Sequence, residues 1–247
     1  MKCIICKDYE DLSARGAAIL AKQIREKPQG ILGLATGSTP VGMYTKLAEM
    51  HRRDGLDFSG IRTFNLDEYY PIKKDNRQSY DFFMWSNLFS HVNIQKENVH
   101  LPNGECANPE AECMAYEQQL EDSGGVDLQV LGIGVDGHIG FNEAGKELTL
   151  ATHLTGLSPS TIEANARFFD SIDEVPKQAI TMGVGSIMKA KSILLMISGE
   201  NKAPVAKRLF SGVITTEVPA SLLHVHPNVT VLIDEAAAHD AALRLSE

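Results

Sequence analysis

The sequence predicts an α/β protein, a three-layer αβα sandwich around a mostly parallel sheet. Three observations predict it. Short apolar runs recur at Ile31 to Ala35, Leu128 to Ile133, Ile193 to Ile197 and Val229 to Ile233, with the length and continuity of strands buried on both faces. Segments of helical spacing alternate with them, as in a parallel sheet covered on both sides. Loops rich in Gly, Ser, Thr and acidic residues follow the runs directly, where open α/β sheets hold ligands, outside the carboxyl ends of strands. With 247 residues, 43% hydrophobic and 22% charged, the chain can bury a large core. No repeat, linker or low-complexity tract divides it, so one domain over 1–247 is expected.

Taken in order, residues 1–7 read as strand. Asp11 through Lys27 predicts a helix with Leu12, Ala18, Ile19 and Ala21 toward a core, stopped by Pro28 and Gly30. Ile31 to Ala35 is a strand that runs into Thr36-Gly37-Ser38-Thr39-Pro40. Thr39 is the expected N-cap there, and Pro40 fits the first helical position. The helix continues through Met43, Tyr44, Leu47 and Met50. Ile61 to Leu66 is the third strand, ending in Asp67-Glu68-Tyr69-Tyr70, and 70–78 is polar loop. Ser79 to Phe89 is an aromatic-rich helix whose rings read as core. Val99 to Gly104 is a connection, Pro109 to Glu121 an amphipathic helix, and Val126 to Ile133 a strand. Residues 144–182 lack clear strand–helix alternation, and an irregular segment after a polar loop predicts a lid at roughly 150–182. Ile193 to Ile197 is a strand, followed by Ser198-Gly199-Glu200-Asn201-Lys202 and a helix through Leu209. Val229 to Ile233 is the last strand, with a short helix from Ala236.

Net charge is −9 with no strongly basic segment, which argues against nucleic acid and anionic membranes as partners. An anionic substrate would need a local cationic pocket. No apolar run approaches the roughly 18 residues of a membrane span, and no signal peptide opens the chain. Cys3 and Cys6 form a C-x-x-C inside an apolar first strand, with no second pair to complete a zinc site; Cys106 and Cys113 are too widely spaced. Buried thiols in a reduced, cytoplasmic protein are expected.

The densest chemistry lies in Gly132-Ile133-Gly134-Val135-Asp136-Gly137-His138-Ile139-Gly140-Phe141-Asn142-Glu143. Glycine at this density disfavours helix, so the stretch is a loop leaving a buried strand. A histidine titrates near neutral pH, and Asp136 and Glu143 supply carboxylates that can orient His138 and raise its basicity. Residues 132–137 also match G-x-G-x-x-G. A dinucleotide fingerprint must open directly into a helix, and this loop does not, so no nicotinamide or flavin is expected. The loop Thr36 to Thr39, between a strand and a helix N-terminus, gathers N–H groups, hydroxyls and the helix dipole, and suits a phosphate. It lacks the Gly-Lys-Ser/Thr of a Walker loop. Asp67-Glu68 reads equally as metal ligands, an acid/base pair or a capping turn. Lys202 falls at another strand's carboxyl end.

Four motifs now resemble one family. Leu34-Ala35-Thr36-Gly37-Ser38-Thr39-Pro40, Asn65-Leu66-Asp67-Glu68-Tyr69, Gly134 to Glu143 and Asn165-Ala166-Arg167-Phe168-Phe169 closely resemble the glucosamine-6-phosphate deaminases, in order from the first strand to about residue 235. The resemblance implies a Rossmann-like fold and a cytoplasmic enzyme of amino-sugar catabolism. It would convert glucosamine 6-phosphate and water to fructose 6-phosphate and ammonia, and the uptake of water places it among hydrolases. By similarity His138 opens the sugar ring with Asp136 and Glu143 tuning it, and Asp67 moves a proton between C2 and C1. Thr36, Gly37, Ser38 and Thr39, with Arg167 and Lys202, would hold the 6-phosphate, without cofactor or metal.

The chain departs from allosterically activated members at His153 and Thr155, where they carry basic residues, and at Leu150-Ala151-Thr152, where many have Ser-Arg-Thr. Its end at Glu247 is also shorter than in hexameric forms. These departures predict no activation by N-acetylglucosamine 6-phosphate and a monomer or small homo-oligomer. Rival readings are a 6-phosphogluconolactonase-like hydrolase, which would not need Asp67 as a carbon base, a galactosamine-6-phosphate deaminase, and a non-catalytic sugar-phosphate sensor domain. A sensor would need a DNA-binding module, and nothing here reads as a basic helix-turn-helix.

Overall fold

A computed structural model describes residues 1–166, 169 and 171–241. Strand β1 (Lys2–Cys6) leads into helix α1 (Tyr9–Glu26), opened by the Asp8 side chain accepting from Asp11 N–H. The stripe Leu12, Ser13, Gly16, Ala17, Leu20, Ala21 and Ile24 turns inward at helical spacing. Ala18 is exposed, one position off the expected face. Next come β2 (Ile31–Leu34), α2 (Ser38–Asp54), β3 (Arg62–Asn65), β4 (Asp67–Tyr70) and α3 (Tyr80–Asn87). Then follow β5 (Val99–His100), α4 (Pro109–Asp122), β6 (Leu128–Leu131), β7 (His153–Gly156), α5 (Pro159–Asn165), β8 (Gln178–Thr181) and α6 (Val184–Met188). The described chain closes with β9 (Ile193–Ile197), α7 (Ala203–Leu209), β10 (Val229–Asp234) and α8 (Glu235–Ala238).

Seven strands form one parallel sheet in the order β1-β10-β9-β6-β2-β3-β5. Its central strands β9, β6 and β2 are buried at every residue, which is why they read as continuous apolar runs. From β2 the chain moves to β3 on one side. From β6 its next strand in this sheet is β9, on the other side. The carboxyl ends of β2 and β6, which are neighbours, therefore flank the crevice where such sheets bind ligands.

A second sheet, β4-β8-β7, is antiparallel, and strand–helix alternation did not predict it. Asp67 to Tyr70 is a strand rather than the tail of β3. Residues 144–182, which showed no clear strand–helix alternation in sequence, contain β7, α5 and β8. These strands are four residues long, and acidic β4 carries none of the apolar runs that mark the main sheet. Leu66 joins the two sheets: its N–H donates to Leu34 O at 3.1 Å, and its carbonyl accepts from Met182 N–H at 2.7 Å. Val99–His100 pairs with β3 at the sheet's edge rather than serving only as a connection. Helix α2 starts at Ser38 with Gly37 as its N-cap, so Thr39 is not the cap and Pro40 lies in the first turn.

Candidate active site

The loop after β6 is shaped by its glycines. Gly134 N–H donates to His138 O at 2.9 Å, closing a tight turn. A Cβ on Gly134 would come within 2.3 Å of His138 Cε1, so the ring lies directly over this backbone. His138 Nδ1 faces two carboxylates, Asp136 Oδ1 at 2.8 Å and Glu143 Oε2 at 3.4 Å, though neither is a well-aligned hydrogen bond. Asp136 Oδ1 also accepts from the His138 backbone N–H at 3.2 Å. Burial alone would lower the His138 pKa; Asp136 and then Glu143 overcome it and raise it to about 9. Burial pushes Asp136 up, but its contacts with His138 hold it well below the ordinary carboxylate range. Glu143 is tethered on its other oxygen: Oε1 accepts from Thr161 Oγ1 at 2.6 Å and from Ser158 N–H at 3.3 Å, both at the start of α5.

Asp67 approaches the same loop from the second sheet. A Cβ on Gly140, whose φ is +57°, would lie 3.5 Å from Asp67 Oδ2 and 2.9 Å from Thr181 Oγ1. Asp67 is 6% exposed. Burial, and secondarily Glu68, raise its pKa to about 8, while the positive charge of His138 draws it down. Glu68 takes the capping role. Its carboxylate accepts N–H bonds of 2.9 Å each from Tyr69, Tyr80 and Asp81, the last two being the first residues of α3. Burial nevertheless raises Glu68 to about 7 against those three bonds. The pair read ambiguously in sequence thus divides into one site carboxylate and one helix cap.

At the end of β2, Gly37 has φ +95° and no side chain caps the helix, so the first N–H groups of α2 have no capping acceptor. A Cβ at Gly37 would meet nothing within 4 Å, so there is open space at Gly37, between Thr36 and Ser38. Lys202, on the turn after β9, reaches the neighbouring loop and donates to Ile133 O at 2.7 Å. The structure therefore gathers Thr36–Thr39, Asp136, His138, Glu143 and Lys202 at the carboxyl ends of three adjacent strands, β2, β6 and β9, with Asp67 beside them. Arg167 lies outside the described residues.

Two contributors escaped the sequence reading. Asp234, at the carboxyl end of β10, accepts from Ser198 Oγ at 2.5 Å and Gly199 N–H at 3.0 Å, fixing the turn that carries Lys202. An acid at a strand end was the available signal. Thr161 gave none, because its partner Glu143 is brought to it only by folding. A cleft of about 600 Å³ takes in Asp136, Lys146, Arg208 and Glu217 but neither Asp67 nor the Thr36–Thr39 loop, so it is not where these groups converge. One donor atom each from Asp136, His138 and Glu143 lie within 4.8 Å of one another, close enough to hold a cation. A proton on Nδ1 would satisfy the same carboxylates and leave that nitrogen without a lone pair for a metal.

Residues 8–232 match the family model described as glucosamine-6-phosphate isomerases/6-phosphogluconolactonase. The chain is 55% identical over 238 residues to the glucosamine-6-phosphate deaminase of Thermoanaerobacter pseudethanolicus, covering 96% of this chain and 94% of the relative. The deaminase of Clostridium perfringens strain 13 is also 55% identical, over 96% of this chain and 98% of its own. A solved monomeric glucosamine-6-phosphate deaminase superposes with a TM-score of 0.96 at 47% identity, covering 97% of this chain and 100% of that one. Relatives named as deaminases, in a family headed by isomerases, overturn the assignment to hydrolases: the chemistry of this group is isomerisation with deamination. The match runs over most of the chain by sequence and by fold alike, and the chain belongs to the glucosamine-6-phosphate isomerase/6-phosphogluconolactonase family.

Proposed function

We infer that this protein is an enzyme that isomerises and deaminates D-glucosamine 6-phosphate, giving D-fructose 6-phosphate and ammonia. The observation that carries the reading is His138 held between Asp136 and Glu143, with a second buried carboxylate, Asp67, beside the same loop. An aldose–ketose shift needs one group to handle the ring oxygen and hydroxyl protons, and another to carry a proton between C2 and C1.

At neutral pH the raised pKa of His138 keeps it an imidazolium, able to donate to the ring oxygen as the pyranose opens. Asp67 must be ionised to take the C2 proton. The ammonium on C2 of the substrate supplies a positive charge that favours that ionised form. Returning the proton to C1 converts the enolamine to a C2 iminium, which water attacks to release ammonia and leave the ketone. The 6-phosphate is placed at the uncapped N-terminus of α2, held by Thr36 to Thr39, Lys202 and Arg167. We extend the proposal to one domain over 1–247 in which the 150–182 segment covers bound substrate, and to a monomer or small homo-oligomer. No described helix is long and apolar enough to cross a membrane.

The test is ammonia and fructose 6-phosphate measured from purified protein, with glucosamine and galactosamine 6-phosphates compared. Stoichiometric release of both products from the gluco substrate is expected. Hydrolysis of 6-phosphogluconolactone without ammonia release from either amino sugar would overturn the reading.

A further inference from the structure

The loop assigned to the 6-phosphate is held from behind by a residue outside the set named so far. Tyr9, the first residue of α1, is 38% exposed. Its hydroxyl donates to Ser38 O at 3.0 Å and accepts from Gly42 N–H at 2.8 Å. Ser38 O and Gly42 N stand four residues apart, the pair that closes a helical turn at the start of α2. The tyrosine hydroxyl thus sits on the opening turn of the helix whose N-terminus faces the open space before Gly37. Gly42 allows the approach: a Cβ there would lie 2.4 Å from Ser13 Oγ and 3.1 Å from Tyr9 Cε1. A helix start without a side-chain cap must be fixed by other contacts or it frays.

We propose that Tyr9 is a positioning residue for sugar-phosphate binding, its hydroxyl fixing the first turn of α2 so that the N–H groups and hydroxyls of Thr36–Thr39 are aimed at the phosphate before it arrives. This rests on the proposed function for the placement of phosphate at Thr36–Thr39 as well as for the identity of the sugar. The Tyr9 hydroxyl bonds the backbone of α2 rather than the carboxylates and imidazole assigned to the chemistry, so it governs affinity rather than turnover. Without the hydroxyl, water can reach Ser38 O and Gly42 N–H from the exposed side. Water is not anchored to α1, however, so the helix keeps its fold and the loop loses its preorganisation.

The experiment compares wild type with Tyr9→Phe and, as a control, Thr45→Val. Thr45 Oγ1 donates to Val41 O at 3.1 Å, farther along the same helix. Binding of inorganic phosphate to the full chain is titrated by calorimetry, and KM and kcat are measured from ammonia release. In Tyr9→Phe the phosphate Kd and KM should rise together by about 3–10-fold, the loss of one net hydrogen bond, with kcat within about twofold. Thr45→Val should move neither. Unchanged phosphate Kd in Tyr9→Phe, a fall in kcat alone, or equal losses in both variants would each overturn the proposal. Wild type that binds phosphate but releases no ammonia counts against the proposed reaction instead, and the Tyr9→Phe titration then still decides the role of Tyr9.

Discussion

Asp67 is buried where water cannot solvate its charge, and that cost has a direction in pH. Its folded pKa, about 8, lies above the ordinary carboxylate value of 3.8. Between those values the unfolded chain has already lost the proton that the folded chain keeps, so stability falls as pH rises. His138 acts in the same direction. Its pKa is raised from 6.5 to about 9, so its stabilising contribution is full below 6.5 and is lost as pH rises through 9. Asp67→Asn removes the first of these costs. Its Tm at pH 8 should exceed that of wild type by roughly 2–4 °C, the equivalent of about 1 kcal/mol in a chain of this size. The same variant should lose deamination by several orders of magnitude and fail to exchange the C2 proton with deuterated solvent. Normal exchange in Asp67→Asn would assign the carbon base elsewhere. The two pKa values also place the maximum of kcat/KM between about 8 and 9, with Asp67 on the acid limb and His138 on the alkaline limb; a maximum below pH 7 would contradict that pairing. Because a proton on Nδ1 of His138 would satisfy Asp136 and Glu143 without a metal, activity should survive exhaustive chelation, and turnover restored by one divalent ion would show otherwise.

At the scale of elements, what the sequence revealed follows from burial. β9 and β10 read clearly because a buried parallel strand carries a run of apolar residues, Ile193–Ile197 in one and Val231 to Ile233 in the other. β4 did not, because Asp67 and Glu68 are acids that folding buries, one beside the loop of His138 and one on the first N–H groups of α3. A strand whose side chains are chosen for a site violates the pattern by which strands are recognised. β7 and β8 are held partly by contacts to loops distant in sequence. A Cβ on Gly183, just after β8, would lie 2.3 Å from Ala151 O and 2.5 Å from Leu150 O. Both are backbone atoms leading into β7, so neither can rotate away. Gly183→Ala should therefore displace the start of β7, with a loss of about 1–3 kcal/mol and faster proteolysis within 144–182. Unaltered stability and cleavage would mean this backbone contact is loose.

For the molecule as a whole, the αβα architecture and the strand-end position of the site were legible, since apolar runs and the loops after them are local. The antiparallel sheet, the Glu143–Thr161 tie and the Asp234 support were not, since each joins residues far apart in the chain. Assembly lies furthest from local pattern. The expectation is a monomer or small homo-oligomer, a mass by light scattering of 27.0 kDa or a small multiple of it; a sixfold mass would exclude it. Leu66, whose N–H belongs to one sheet and whose carbonyl to the other, carries a mechanical consequence. A door moves least beside its post. If the small sheet swings against the large one, Tyr70 at the far end of β4 sweeps the wider arc, and Asp67, one residue from the joint, hardly travels. On the proposed function, the carboxylate that takes the C2 proton is thereby hung next to the pin, where any such swing leaves its aim almost undisturbed.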